Sequence, residues 1–124
     1  MAENYAFKLI ALIKKKDGLS RDEFIQYYES NHVPLILKAS PTMADYRRNY
    51  VIPSSSAEKV HAADADYDVI TEAWFRTKED FIQWRRGGGD KELQERIMQD
   101  ELNFLDRSSV RMFLVEEYKS DISA

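Results

Sequence analysis

The chain has 124 residues, 44% hydrophobic and 32% charged, which suits one domain with a moderate core. A net charge of -4, with basic residues only in small scattered clusters such as Lys14–Lys16 and Arg85–Arg86, excludes the broad cationic surface expected of a nucleic-acid binder. The lack of cysteine excludes disulfides, thiolate nucleophiles and Cys-ligated metal centres together.

No apolar run is long enough to span a bilayer, and Glu3 stands where a secretory signal carries positive charge; a cytoplasmic location is expected. Phe7 to Ile13 then predicts a central strand. Phe7, Leu9, Ala11 and Ile13 share one face, and Lys8, Ile10, Leu12 and Lys14 the other. Asp17-Gly18 turns the chain. Ser20 with Glu23 forms a capping box that opens a helix, whose stripe is Phe24, Tyr27, Tyr28 and Asn31. Pro34 pushes Val33 toward extended backbone, so that helix is expected to end near His32, with "LILKA" as a short further turn.

"MADYRRNYVI" alternates again, setting Ala44, Tyr46, Arg48 and Tyr50 against Asp45, Arg47, Asn49 and Val51. The polar segment from Pro53 to about Asp66 has the length of a functional loop. "YDVITEAWF" predicts a third strand, with Val69, Thr71, Ala73 and Phe75 on one face and Ile70, Glu72 and Trp74 on the other. Thr77 and Asp80 make a second cap before Phe81 and Trp84, and Gly87–Gly89 break that helix. Leu93, Ile97, Leu102 and Leu105 mark a further helical stretch with a break near Glu101, and Val110 to Glu117 closes as a strand.

The order β-α-β-β-α-β defines a ferredoxin-like α+β sandwich in a single domain spanning 1–124. Helices cover only one face of such a sheet. The other carries large apolar groups, Trp74 among them, and suits a second copy packed sheet to sheet, so a homodimer is expected. Space beside the sheet can then hold a small molecule.

His32 is the leading candidate for proton transfer, because imidazole titrates near neutral pH; its place near a helix end equally suits a capping role. Tyr27, Tyr46 and Tyr50 can orient or stack on an aromatic substrate, and Arg48 can meet a carboxylate bidentately. Asp64, Asp66 and Asp68 alternate but lack the glycine and glutamate of a calcium loop, so no metal is expected. Asp106 and Arg107 read either as an ion pair anchoring a turn or as a carboxylate that orients His32. "RRGGGD" has neither the preceding strand nor the Gly-Lys-Ser/Thr ending of a phosphate loop.

The segment "KLIALIKKKDGLSRDEFIQYYESNHVPL", the Asp-Tyr-Asp lead-in to the third strand and "DELNFLDRSSVRMFLVEE" together resemble the EthD-like family. The most specific parts are Phe24, Tyr27, Asn31, His32 and Pro34, and then Glu101, Phe104, Leu105, Asp106 and Arg107. The resemblance implies a dimeric α+β barrel. Its nearest-looking branch is the fungal group of aromatic polyketide decarboxylases and dehydratases, which act on anthrone- or anthraquinone-type acids without a cofactor. It carries a catalytic role to His32 and Asp106. Tyr46 is expected to assist as oxyanion donor, and Tyr27, Arg48, Tyr50 and Trp74 to bind the substrate. Val33 departs from the Gly or Ala of many relatives. Alternatives are a non-catalytic dimeric binding protein, a polyketide cyclase and an anthrone-type monooxygenase.

Overall fold

The computed structural model describes residues 7–53, 66–86 and 90–123. The elements are β1 (Phe7–Lys15), α1 (Arg21–Tyr27), a π-helical turn (Tyr28–His32), α2 (Val33–Ala39), β2 (Met43–Tyr50), β3 (Val69–Phe75), α3 (Lys78–Arg85), α4 (Lys91–Glu101) and β4 (Leu105–Val115). The expectations for Asp64 and for Gly87–Gly89 lie outside the described residues.

The four strands pair antiparallel in the order β2-β3-β1-β4, with the helices on one face. This is the expected ferredoxin-like sandwich. The expected barrel is not formed: among the described residues β2 and β4 are the sheet's edges and do not pair with each other, so the sheet is open.

Local chemistry explains most boundaries. Ser20 accepts from the Glu23 N–H while the Glu23 side chain accepts from Ser20 N, a reciprocal capping box that starts α1. Thr77 and Asp90 cap α3 and α4 through the N–H groups of Asp80 and Leu93. Gly18 turns the chain with φ at 92°, a conformation natural to glycine.

Two boundaries differ from expectation. Val33 is helical (φ -58, ψ -49), and the backbone runs on through Pro34 into α2. The π turn makes this tolerable: the Val33 N–H reaches back to the Tyr28 carbonyl, and the widened turn eases the clash a proline imposes on the preceding coil. The buried stripe therefore extends from Phe24 and Tyr28 to His32, while Asn31 is exposed. The last strand begins at Leu105 rather than Val110, because Leu105 and Asp106 already pair with Lys15 and Lys14.

The core lies between sheet and helices in two clusters. One gathers Phe24, Tyr28, Val33, Val69 and Phe104; the other gathers Leu9, Ala73, Phe75 and Phe81. Burying one such side chain stabilises the fold by about 1.5–3 kcal/mol. Between the two clusters the packing leaves a cleft.

Candidate active site

The cleft encloses about 80 Å³ and is open at one end. Its sheet floor is mostly small and apolar, with Leu9, Ala11, Thr71 and Ala73 facing the helices. Small floor side chains keep the gap from closing. Tyr28 and His32 from the π turn, Ile36 from α2, Trp84 from α3 and Glu101 from α4 make the helical side. Tyr46, Met43 and Met112 complete the rim from the edge strands.

His32 is only 3% exposed and packs its ring against Tyr28 and Phe104. Its Nδ1 lies 2.9 Å from Asp100 Oδ2. A carboxylate oxygen can only accept, so Nδ1 carries the proton and Nε2 keeps its lone pair. Asp100 Oδ1 accepts from the Tyr27 hydroxyl at 2.6 Å, and Asn103 Nδ2 donates to that hydroxyl at 2.9 Å. The chain Asn103–Tyr27–Asp100–His32 thus fixes both the orientation and the tautomer of the imidazole. Burial pushes the His32 pKa below its ordinary value, against the opposite pull of Asp100. The ring is neutral at neutral pH and available as a base.

A hydroxyl cluster stands in the same cleft. Tyr28 Oη lies 2.8 Å from Thr71 Oγ1 and 3.2 Å from Tyr46 Oη. Burial raises the pKa of both phenols, Tyr46 strongly, so both remain proton donors. Glu101 adds a carboxyl whose pKa burial also raises, with Arg107 Nε 3.4 Å away as a weak partner. A neutral base in the same cleft as a carboxyl whose pKa is raised by burial is an arrangement suited to moving protons.

Of the residues singled out from sequence, His32 and Tyr46 line the cleft, and Tyr27 supports His32 through Asp100. Arg48 and Tyr50 do not line it. Arg48 donates through Nε and Nη2 to the two Glu29 oxygens (2.8 and 2.6 Å), and the Tyr50 hydroxyl bonds the same carboxylate. Asp106 does not orient His32; it accepts from Ser108 N and Oγ in a tight turn, and Arg107 pairs with Glu101 instead. Trp74 is on the opposite face of the sheet, where its Nε1 donates to Glu117 and the cations of Lys8 and Arg47 lie over its ring.

Sequence reasoning missed Asp100, Tyr28, Thr71 and Glu101. A signal for the two acids was present: Leu93, Ile97, Asp100 and Glu101 recur at i, i+4, i+7 and i+8, placing carboxylates on the packed stripe of α4. Tyr28 and Thr71 gave none, because their meeting depends on how the π turn lies over β3. Asp68, one of the alternating acids, accepts from the Lys15 N–H. Among the described residues no His, Cys, Asp and Glu group has a metal-binding arrangement, and no helix is long and apolar enough to cross a membrane.

A model of the EthD domain matches residues 16–108, so the chain belongs to the EthD family. Among solved structures it is similar to an ethyl tert-butyl ether d (EthD) family protein of Bacillus halodurans. The two share 18% identity and a TM-score of 0.61, over 90% of this chain and 98% of that one. It is also similar to a dimeric ferredoxin-like protein of Thermobifida fusca (16% identity, TM-score 0.55, 88% of each chain covered). That description fits the open sheet and again departs from the expected barrel. A third similar structure is a monooxygenase of Streptomyces coelicolor in complex with nanaomycin D, at 8% identity and a TM-score of 0.57 over 97% of this chain and 94% of that one. No curated protein matches the chain. At these identities the solved structures establish the fold alone.

Proposed function

We propose that this protein takes a flat, oxygenated aromatic molecule into the cleft and removes a proton from it, with His32 Nε2 as general base. The observation that carries the reading is the Asp100–His32 pair at the wall of an apolar cleft that also holds the Tyr28, Tyr46 and Thr71 hydroxyls. Removing a proton from carbon beside a ring carbonyl places negative charge on that oxygen. Phenols that stay protonated are suited to receive it.

For an anthrone-type substrate the resulting carbanion reacts with dioxygen. The methylene carbon becomes a carbonyl, one oxygen atom enters the product, and the other leaves as water. The similarity to a monooxygenase solved in complex with nanaomycin D supports this reading at the level of fold. A second reading, dehydration, shares the first step, and Glu101 favours it: a carboxyl with a raised pKa can protonate a departing hydroxide. The working unit is a homodimer. The half-exposed Phe113 on the outer sheet face supports this, as does the dimeric state of the Thermobifida fusca relative.

The test is incubation of a hydroxyanthrone under air and under argon, with native protein, His32→Gln and buffer alone compared by mass spectrometry. Quinone formation above the buffer rate that needs both dioxygen and His32 supports monooxygenation. A His32-dependent dehydration product formed from a hydroxylated ring ketone under argon supports the second reading. No His32-dependent product from either would overturn both.

A further inference from the structure

The charges around the cleft carry a statement about what it admits, one that rests on reading it as a small-molecule site. Among the described residues, no lysine or arginine lines it. Its titratable groups are His32, the phenols of Tyr28 and Tyr46, and the carboxyl of Glu101. His32 is buried and neutral, with its proton directed at Asp100.

Two arginines approach this set: Arg107, whose Nε lies 3.4 Å from the Glu101 carboxyl, and Arg48. Arg48 pairs across the sheet with Thr71, and its guanidinium lies 4.9 Å from the centre of the Tyr46 ring. Each of its three nitrogens donates elsewhere: Nε and Nη2 to Glu29, and Nη1 to the Tyr46 carbonyl. Tyr50 closes the Glu29 carboxylate from the other side. A ligand carboxylate in the cleft would lose its water and find both arginines already paired with carboxylates. Such a group is strongly disfavoured unless paired.

We infer that the cleft selects uncharged phenolic or quinonoid ligands over their ring-carboxylated counterparts, with Glu29 as the residue that withholds Arg48 and Glu101 as the one that holds Arg107. The expectation of a polyketide acid as substrate is thereby inverted. Decarboxylation falls outside the reactions this cleft is built for, since its substrate must bring a carboxylate inside.

Calorimetric titration with the dihydroxyanthraquinone chrysazin and its ring-carboxylic acid, rhein, tests this without any turnover. On native protein, chrysazin binds about tenfold or more tightly than rhein, the discrimination expected for one unpaired charge leaving water. Glu101→Gln and Glu29→Ala each narrow the gap, the first by releasing Arg107 and the second by releasing Arg48. Rhein binding as tightly as chrysazin to native protein would overturn the inference and leave the aromatic-ligand reading standing. A gap unchanged in Glu101→Gln and in a folded Glu29→Ala would also overturn it. Failure of native protein to bind either compound would overturn both the inference and the reading beneath it.

Discussion

Two clusters in this molecule are built from the same kinds of parts and do opposite things. In one, a nitrogen base, a carboxylate and a tyrosine form His32–Asp100–Tyr27; in the other, Arg48–Glu29–Tyr50 repeats the scheme. Asp100 meets the imidazole through one nitrogen and leaves the second with its lone pair. Glu29 meets the guanidinium through two nitrogens and closes it. The pairing lowers the Glu29 pKa and raises that of Arg48, chiefly through the hydrogen bonds between them, while burial and then the Glu29 contact raise that of Tyr50, fixing the cluster in one charged state. Burial instead keeps His32 neutral. Which partner satisfies a side chain, and how completely, decides its role more than its residue type does.

Removing the base should have the largest effect. His32→Gln is expected to lower turnover of a hydroxyanthrone by about 10²–10⁴-fold, as for loss of a positioned general base, with little change in ligand affinity by calorimetry. Asp100→Asn should follow at about 10²-fold, because an amide facing Nδ1 no longer enforces the Nδ1–H tautomer; the fall should appear in kcat rather than KM. Tyr46→Phe removes one donor from a cluster of hydroxyls and should cost about tenfold in kcat/KM.

Titration separates the clusters in another way. A histidine whose folded pKa lies below the ordinary 6.5 takes up its proton first in the unfolded chain. Its stabilising contribution is therefore complete above 6.5 and is lost as pH falls through the lower folded value. Denaturant melts should show that loss, and His32→Gln should flatten the His32 component while leaving the carboxylate transitions at lower pH. Turnover should decline over the same interval as the base becomes protonated. The smallest effect belongs to Asp106→Ala, which should leave turnover unchanged, since that carboxylate bonds Ser108 in a turn away from His32.

The layered fold was legible in the sequence because it rests on local rules. The period-2 strands, the Ser20–Glu23 box and the Thr77 cap fixed the element order without any long-range contact. Pro34 misled because a π turn absorbs a proline that an ordinary α turn would not. The site was legible only in part. His32 stood out as one of two histidines, and Tyr46 by its strand face. Asp106 attracted attention through its motif, yet Asp100, six residues earlier on α4, is the carboxylate that reaches the imidazole. Helix packing fixes that choice, and spacing alone does not express it. Arg48 was placed on the correct face of β2, but its capture by Glu29 depends on how α1 and the π turn lie over the sheet.

The claim that organises this account is that His32 is a neutral imidazole, protonated on Nδ1 by virtue of Asp100, with Nε2 available in the cleft. Nitrogen-15 NMR of the imidazole rings across a pH series measures it directly, with His61→Gln to assign the two histidines. The account predicts an Nδ1–H tautomer for His32 at neutral pH, a titration below 6.5, and loss of the tautomer preference in Asp100→Asn. An Nε2–H tautomer, or a titration at or above 6.5, would contradict it.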